Sequence, residues 1–349
     1  MRESPKSGPR ARISDVAKAA GVSVSTVDRV INGRDPVRGP TAKKVMKAAE
    51  SLGFRMAPLI GQSLSKERPM MRFGFLLLQK NRSFYEMLAE ELLRAAGKSS
   101  GVRISVRILH TEELAPTAVA AQIKALGGEC DAVAVVAANH PLVSTALEGL
   151  ASRGIPVFAL ISEINTRVPV GYVGLDNYQL GRTAAWFIAQ MAQAPGKVGV
   201  LVGTHRFRCQ DLNESGLRSY FREHAPRFEV VEPGATLENA GVAAELVRHL
   251  LQREPELRGL YIAGGGISGV LTALRECAHA KSIVVIGNDR TRSAHQGLLD
   301  GHIRLLLSHP LASLCATLIE RMILAVRGNS DALAPCFLGI NILTPENIR

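Results

Sequence analysis

A glycine-rich segment in the last third of the chain, residues 264–269, has a spacing that could support cofactor chemistry. It reads G-x-G-x-x-G between a strand-like run and a helix-like run, and Asp289 follows 20 residues after Gly269. In dinucleotide-binding domains such glycines let the backbone approach a pyrophosphate, and the acidic residue binds a ribose hydroxyl. The motif normally opens its domain, whereas here it falls late, and a Tyr-x-x-x-Lys pair does not occur. A nicotinamide-dependent enzyme is therefore an alternative that the sequence does not favour.

The cysteines and the N-terminus indicate the compartment. The five cysteines are far apart, and no two have the spacing of a metal site or a redox pair, so we expect no bound metal and no cofactor. Residues 1–12 are basic and lack the apolar run of a secretory signal. No stretch approaches the roughly 18 apolar residues of a membrane helix. A cytoplasmic protein without a membrane partner is expected.

The positive charge of the chain is concentrated in its first fifth. The whole chain carries a formal net charge of +11, and residues 1–70 hold 14 Lys and Arg against 6 Asp and Glu. The rest of the chain is close to neutral, with 28 basic against 25 acidic residues. A small basic segment on a near-neutral body predicts a polyanionic partner for that segment alone. By charge alone, a solvated basic tail is the simpler reading.

Three segments within residues 1–54 have apolar residues at helical spacing. The first covers residues 13–20 with Ser14 as its expected N-cap, the second follows Ser23, which can cap it, and the third covers residues 41–52. Two short helices joined by a glycine-containing turn and braced by a third form a helix-turn-helix unit. The second helix of such a unit presents its first residues to base edges in the major groove. The expected core residues are Ile13, Val16, Ala17, Ala20, Val27, Val30, Ile31, Val45, Ala48, Ala49 and Leu52.

The run ISDVAKAAGVSVSTVDRVING, residues 13–33, resembles the DNA-binding head of the lactose-repressor (LacI-type) family, and the resemblance continues to Phe54. It implies double-stranded operator DNA as a partner. The base-reading positions that it implies are Val24, Ser25 and Arg29, of which the arginine can form a bidentate contact to guanine. The phosphate-holding positions that it implies, which set register without reading bases, are Ser23, Thr26 and Asn32.

Asp28 departs from this family pattern, which has a small hydroxyl residue at its position. A carboxylate near DNA phosphates is repelled. We therefore expect Asp28 to pair with Arg29 or Arg12, or to contact a base donor.

Residues 55–70 form the expected linker between the head and the body. In the resembling family this stretch becomes a hinge helix on operator binding, and a leucine enters the minor groove and unstacks bases. Leu64 is the expected counterpart of that leucine, and Leu59 is a rival. The usual Pro-Asn pair is replaced by Met56-Ala57. A flexible tether is the simpler alternative.

Strand-like and helix-like runs alternate through residues 71–349, which is typical of parallel sheets covered on both faces. Two such sheets predict two lobes with a cleft, where ligands bind beyond the carboxyl ends of the strands. The expected fold is therefore a small all-α helix-turn-helix head followed by an α/β body of two doubly wound parallel-sheet lobes. The strand-like runs are residues 73–78, 102–109, 132–137, 157–161, 198–202, 260–263 and 283–287. The helix-like runs include residues 84–96, 142–153, 177–193, 239–251 and 268–278.

The body resembles the periplasmic sugar-binding-protein fold that forms the effector domain of the same family. The similar segments are FGFLLL at 73–78 with its following loop, YVGLDNYQLGRTA at 172–184 and VVIGNDRT at 284–291. The resemblance implies a sugar or polyol whose hydroxyls donate to a strand-end carboxylate and whose C–H face lies on aromatic rings. The effector-binding residues that it implies are Phe84, Tyr85, Asp176, Arg208 and Asp289. Core packing for the aromatic residues and capping roles for the two aspartates remain open.

Three positions depart from the sugar-binding pattern. Asp211 stands where the family has an arginine, Gly264-Gly265 replaces an Asn-Asp pair, and Ile161-Ser162 replaces an Asp-Arg pair. The pocket chemistry is therefore expected to differ from that of the family. Further candidate contacts are His205, Arg208, Gln210, Asn139, His140 and Glu163.

Together these features predict a cytoplasmic transcription factor, by default a repressor, whose operator affinity depends on a small sugar or polyol. A homodimer on a pseudo-palindromic operator is expected, because one head reads too few bases. An enzyme is not expected. The alternative is a nicotinamide-dependent polyol dehydrogenase fused to a DNA-binding head, and a third reading is an architectural DNA binder without an effector.

Overall fold

A computed structural model of the chain describes residues 11–32, 37, 39–56, 69–112, 114–232 and 234–348. Most of the predicted linker, with Leu59 and Leu64, lies outside the described residues. The chain divides into two compact units. The first, the head, comprises Met1–Met71 with Ser99–Ile104, and the second, the body, comprises Arg72–Lys98 with Ser105–Arg349.

The head contains three helices, α1 (Ile13–Ala20), α2 (Val24–Asn32) and α3 (Gly39–Ser51). The start of α1 differs from the prediction. The backbone N–H of Arg12 donates to Asp15 Oδ2 at 2.7 Å, so Arg12 rather than Ser14 is the N-cap residue. The Asp15 carboxylate, in the first turn of the helix, accepts from a backbone N–H that has no partner within the helix. Its negative charge also interacts favourably with the positive end of the helix dipole.

The apolar faces of the three head helices meet in one core. Each buried Val, Ile or Phe side chain contributes about 1.5–3 kcal/mol relative to exposure. Leu52, which was expected in this core, is 40% exposed because α3 ends at Ser51, and Phe54 is buried instead. The buried residues of this core are Val16, Ala17, Val27, Val30, Ile31, Ala42, Val45, Ala48, Ala49 and Phe54.

The body is built from strands and helices in alternation. Its strands are β1 (Met70–Leu77), β2 (Arg103–His110), β3 (Ala132–Val135), β4 (Val157–Leu160), β5 (Gly171–Leu175), β6 (Lys197–Leu201), β7 (Glu229–Val231), β8 (Leu257–Ile262), β9 (Val284–Asn288), β10 (Leu305–Ser308), β11 (Cys336–Leu338) and β12 (Asn341–Leu343). Its helices are α4 (Ser83–Gly97), α5 (Pro116–Glu129), α6 (Pro141–Ala151), α7 (Asn177–Met191), α8 (Arg208–His224), α9 (Ala240–Arg253), α10 (Ile267–Arg275), α11 (Arg292–Leu299) and α12 (Leu311–Val326).

The strands form two six-stranded sheets, which confirms the predicted fold class. The first sheet has the order β11-β5-β4-β3-β1-β2 and the second the order β12-β10-β9-β8-β6-β7. The pairs β3–β4, β4–β5, β8–β9 and β9–β10 are parallel, whereas β12 joins β10 antiparallel. The chain passes from the first sheet to the second after β5, and β11 returns to the first sheet. Two lobes therefore share one chain that crosses between them repeatedly.

The central strands are apolar on both faces, as parallel strands covered by helices must be. All residues of β3 and β4 are buried. The seven predicted strand runs correspond to β1, β2, β3, β4, β6, β8 and β9. The strands β5, β7, β10, β11 and β12, of three to five residues each, were not among the predicted runs.

Candidate functional site

The second helix of the head, α2, presents a polar and exposed side. Val27, Val30 and Ile31 turn into the core, whereas Val24 is 51% exposed and Ser25 and Arg29 are also exposed. An amphipathic helix that buries one stripe leaves the opposite stripe free for a partner. The three residues predicted to read bases therefore lie on the open side of α2.

A group of hydroxyls surrounds the start of α2. Ser23 Oγ accepts the backbone N–H of Thr26 at 3.2 Å, which is the predicted N-cap bond. The same oxygen lies 2.9 Å from Ser25 Oγ and 2.8 Å from Thr26 Oγ1. Backbone donors and hydroxyls at a helix N-terminus are suited to phosphate oxygens.

One expectation was that Asp28 pairs with Arg29 or Arg12. The structure shows neither pair. Asp28 Oδ1 accepts a hydrogen bond from Asn32 Nδ2 at 2.8 Å, one helical turn further on. Arg29 Nε donates only to the backbone oxygen of Ser25, at 3.4 Å. The amide of Asn32 thus donates to Asp28, whereas the Nη atoms of Arg29 have no hydrogen-bond partner among the described residues.

The body holds a cavity of about 330 Å³. Its walls come from the segments that follow the carboxyl ends of strands in both sheets, including β1, β4, β8, β9 and β10. This is where open α/β folds bind ligands, and the volume lies at the lower end of the roughly 300–1,000 Å³ of small-molecule sites. Of the predicted effector-binding residues, Phe84, Tyr85 and Asp289 line this cavity.

Asp289 follows β9 directly and is fixed by His309, which follows β10. Asp289 Oδ1 accepts the backbone N–H of His309 at 3.0 Å and lies 2.7 Å from its Nδ1. Since an ionised carboxylate only accepts, Nδ1 carries the proton of this bond. Asp289 also adopts a left-handed backbone, with φ of 60°, which is uncommon for a residue with a side chain. Nε2 of His309 is buried without a hydrogen-bond partner in the described part of the protein.

A second polar group joins the two lobes at the cavity wall. Arg82, in the segment after β1, donates from Nη1 to Glu238 Oε2 at 2.5 Å and from Nη2 to the Glu238 backbone oxygen at 2.7 Å. Glu238 belongs to the second lobe, and Gln210 Nε2 donates to its Oε1 at 2.7 Å. The Gln210 Oε1 accepts the backbone N–H groups of Gly203 and Thr204 at 2.6 and 3.0 Å. Gln210 is the one further candidate contact named from sequence that lines the cavity.

The glycine-rich segment 264–269 has packing reasons for its glycines. A Cβ on Gly265 would lie 1.9 Å from Glu238 Oε2, and a Cβ on Gly269 would lie 1.7 Å from the backbone oxygen of Ala240 at the start of α9. The segment therefore makes room for a carboxylate and for a close helix contact. A phosphate cradle is not needed to explain it.

Two predicted effector contacts are placed elsewhere. Asp176 lies outside the cavity lining and caps α7, its Oδ1 accepting the backbone N–H of Gln179 at 3.0 Å. Arg208 also lies outside the lining and pairs through Nε with Glu163 Oε2 at 3.1 Å. Both polar groups are occupied by nearby protein partners.

The remaining candidates from sequence have structural partners as well. His205 Nε2 lies 2.8 Å from Glu214 Oε2. Asn139 Oδ1 accepts the backbone N–H of Asn165 at 2.9 Å, and His140 is the N-cap residue of α6. None of these three lines the 330 Å³ cavity.

Burial keeps the cavity thiol and phenol protonated. Burial raises the pKa of the Cys209 thiol to about 12, and burial likewise raises the pKa of Tyr85 well above its ordinary value. A thiol in this state is a poor nucleophile. Cys209 is therefore a wall residue, and the Tyr85 hydroxyl is available as a neutral hydrogen-bonding group.

The polar cavity residues Arg82, Glu238, Asn213 and His309 were not named as effector contacts from the sequence. His309 could have been found, because it follows a buried strand in the same way as Asp289. Asn213 lies one turn from Gln210 on α8, and its Oδ1 is buried without a partner in the described part of the protein. No sequence signal singles out Glu238, which lies in a turn between β7 and α9.

No helix in the described ranges is long and apolar enough to span a membrane. Nor do these ranges bring together three or more His, Cys, Asp or Glu side chains in a group that could hold a metal ion.

Sequence comparison matches both parts of the chain to known families. Residues 12–56 match the bacterial regulatory proteins of the lacI family, and residues 73–329 match the periplasmic binding protein domain. The transcriptional regulator RegA of Clostridium saccharobutylicum is 39% identical over 26% of this chain and 25% of its own length. The regulator GalS of Salmonella typhimurium is 25% identical over 93% of both chains. The chain thus spans about a quarter of RegA but nearly all of GalS.

Solved structures share the fold of the body. A solute-binding protein of Burkholderia graminis in complex with D-arabinose has a TM-score of 0.73 at 18% identity and covers 79% of this chain and 96% of its own. A solute-binding protein of Actinobacillus succinogenes with bound D-allose has a TM-score of 0.72 at 17% identity. The match covers 80% of this chain and 98% of that protein. At this identity the likeness concerns the fold. The chain therefore carries a DNA-binding domain of the lacI family of bacterial regulatory proteins at residues 12–56, and its body belongs to the periplasmic binding protein domain family.

Proposed function

We propose that this protein is a DNA-binding transcriptional regulator, by default a repressor, whose operator affinity is controlled by a sugar or polyol bound in the 330 Å³ cavity. The observation that carries the proposal is the strand-end cavity itself, with the Asp289–His309 pair and two unpaired buried polar atoms on its wall. Unpaired buried polar groups are costly unless a ligand satisfies them. A polyol supplies many hydroxyls in a small volume.

The head would bind double-stranded operator DNA through α2. We assign base contacts to Val24, Ser25 and Arg29, which are exposed on the open side of this helix. We assign phosphate contacts to Ser23, Thr26 and Asn32, whose Nδ2 has a second hydrogen beside the one donated to Asp28. The high positive charge of residues 1–70 supports this assignment, because neutralised phosphates release counterions and so favour binding. Leu64 stays a proposed minor-groove contact, outside the described residues.

The cavity would bind the effector through Asp289, Phe84 and Tyr85. The carboxylate accepts from hydroxyls, and the rings, 5.2 Å apart between centroids, offer an apolar face to sugar C–H groups. The solute-binding proteins with bound D-arabinose and D-allose, which share the fold of the body, support a sugar ligand. For Asp176 and Arg208 we propose structural roles, because each has a protein partner outside the cavity.

We further propose a homodimer in the cytoplasm. Two heads related by a two-fold axis bind an inverted repeat, which multiplies the selectivity of a single head. An effector that prefers one arrangement of the two lobes would then shift operator affinity by the difference of its two binding free energies.

The dehydrogenase alternative has little support. The relatives are transcriptional regulators and solute-binding proteins, and the glycine-rich segment has packing partners that account for its glycines.

The proposal is tested by selecting DNA duplexes from a random pool with the full-length protein, then titrating the selected duplex with D-arabinose, D-allose and related sugars. An enriched inverted repeat whose binding one of these sugars changes at least tenfold supports it. Failure to enrich any sequence contradicts the regulator. Nicotinamide-dependent turnover of a polyol would favour the dehydrogenase instead.

A further inference from the structure

We propose that the Arg82–Glu238 pair makes the cavity selective for uncharged polyhydroxyl ligands and against sugar phosphates and sugar acids. This inference rests on the proposed function and specifies its effector class. The Glu238 carboxylate pairs with the Arg82 guanidinium, which is the cation that a ligand phosphate or carboxylate would otherwise contact. An anionic ligand would have to displace Glu238 or enter the cavity without a counter-charge.

Arg82 is the only lysine or arginine among the described residues that line the cavity. Its guanidinium has protein partners on all three nitrogens: Nη1 and Nη2 contact Glu238, and Nε donates to Gln79 Oε1 at 2.6 Å. Guanidinium groups recognise phosphates and carboxylates through paired N–H donors. Here the carboxylate of the protein itself takes that place.

The local structure is arranged to hold Glu238 there. Leu237 and Glu238 both adopt left-handed backbone, with φ of 50° and 60°. Such conformations are unfavourable for residues with side chains, and they persist where the surroundings impose them. The Glu238 side chain is only 9% exposed, and Gln210 donates to its second oxygen. A carboxylate so oriented is a fixed part of the wall.

Glycines clear the space around this carboxylate. A Cβ on Gly203 would lie 1.8 Å from Glu238 Oε1, and a Cβ on Gly265 would lie 1.9 Å from Oε2. Gly265 belongs to the Gly264-Gly265 pair that departs from the family pattern. The absence of a side chain at Gly265 therefore leaves the space that the Glu238 carboxylate occupies.

Three polar atoms left for a ligand at the cavity wall can act as acceptors. Asn213 Oδ1 and His309 Nε2 are buried without partners in the described chain, and an imidazole that carries a single proton on Nδ1, donated to Asp289, accepts at Nε2. Asp289 Oδ2 also has no donor among the described residues. Hydroxyl groups can donate to all three atoms. Ionised phosphate or carboxylate oxygens cannot, and they would face the Asp289 charge as well.

The test compares matched ligand pairs by isothermal titration calorimetry on the full-length protein. The uncharged probes are D-arabinose, D-allose and D-glucose, and the anionic probes are D-arabinose 5-phosphate, D-allose 6-phosphate and D-gluconate. For the wild type we expect at least one uncharged probe to bind a hundredfold more tightly than its anionic counterpart. For Glu238→Gln, which releases Arg82, we expect affinity for that anionic counterpart to rise at least tenfold.

Two further variants separate this effect from a general disturbance. Arg82→Gln combined with Glu238→Gln removes the cation as well, so the gain in anion binding is expected to disappear. Glu276→Gln breaks a comparable arginine–carboxylate pair with Arg248 on the surface of the second lobe, away from the cavity. It is expected to leave the ligand preference unchanged.

The outcomes are distinguishable. If the wild type binds an anionic probe as tightly as its uncharged counterpart, the inference is wrong and the sugar-controlled regulator stands. If the uncharged probe is preferred but Glu238→Gln folds and gains nothing, Glu238 is not the selective group and the inference is likewise overturned. If no probe binds the wild type or any variant, the proposed sugar effector fails and this inference fails with it. The wild-type comparison can overturn the inference even if a variant does not fold.

Discussion

The carboxylate of Asp289 receives two hydrogen bonds from one residue, His309, through the backbone N–H at 3.0 Å and Nδ1 at 2.7 Å. The two residues follow neighbouring strands of the second sheet, so the pair closes one end of the cavity. Asp289 thereby sets which ring nitrogen of His309 carries the proton and leaves Nε2 for a ligand.

Replacing Asp289 by asparagine is expected to weaken effector binding at least tenfold while the protein still folds. The amide keeps the shape of the side chain but loses the charge, and hydrogen bonds to charged groups contribute about 1.5–3 kcal/mol. The measurement is the calorimetric affinity for a sugar that binds the wild type, with circular dichroism to check the fold. Asp300→Asn is the matched control, because Asp300 contacts His302 Nδ1 at 3.0 Å outside the cavity. Equal loss in both variants would argue against a specific role of Asp289.

Replacing Arg29 by alanine is expected to reduce the preference for operator over unrelated DNA by about 5- to 150-fold, which corresponds to the roughly 1–3 kcal/mol of one bidentate base contact. Binding to unrelated DNA should change little, since it depends on phosphates. Fluorescence anisotropy on both duplexes measures the two affinities. Arg248→Ala, in the body, serves as the control for loss of one positive charge. A uniform loss on both duplexes would show that Arg29 contacts phosphate.

Binding of the full-length protein to unrelated DNA is expected to weaken at least tenfold when the salt concentration rises from 50 to 200 mM. The basic residues of the first 70 positions would displace counterions from the duplex, and the affinity falls with the number displaced. The slope of affinity against salt concentration on logarithmic axes gives that number. A flat line would contradict an electrostatic contact by the head.

Glu214 is expected to stabilise the body in a pH-dependent way. Burial acts to raise the pKa of Glu214, but hydrogen bonds from His205 and Arg218 outweigh it, so the pKa lies below its usual value. A carboxyl whose pKa is lowered by folding adds stability above its unfolded pKa and loses it as the pH falls towards the folded pKa.

Glu214→Gln should therefore lower the free energy of unfolding by about 1–2 kcal/mol at pH 7. This range already allows for solvent screening, because Arg218 and His205 are partly exposed. The difference between wild type and variant should shrink below about pH 4.3, the ordinary value for glutamate. Urea unfolding at pH 7, 5 and 3.5 measures it. A difference that stays constant over this range would show that the carboxylate charge contributes nothing.

The fold was largely predictable from the sequence, because its signals are local and periodic. The stripe Val27, Val30 and Ile31 predicts the buried side of α2, and continuous apolar runs predict β3 and β4. Leu52 was misplaced because the helical pattern continues one residue beyond the helix.

The cavity was only partly predictable. Phe84, Tyr85 and Asp289 were found through resemblance to a family, and the structure places them together. Arg82 and Glu238 lie 156 residues apart in loops without periodicity, and only the packing of the two lobes brings them into contact. Asp176 and Arg208 have suitable chemistry, but a helix cap and a neighbouring carboxylate engage them. Whether a polar side chain in a loop contacts a ligand or another protein group depends on which groups the fold places beside it. The sequence pattern does not show this.

One titration shows whether an effector bound in the body controls DNA binding by the head. A labelled inverted-repeat duplex, selected with the full-length protein, is followed by fluorescence anisotropy as the sugar that binds the body is added. We expect the sugar to change operator affinity at least tenfold in the wild type, and Asp289→Asn to need a correspondingly higher sugar concentration. Unchanged operator affinity at saturating sugar, with the sugar demonstrably bound, would contradict this expectation.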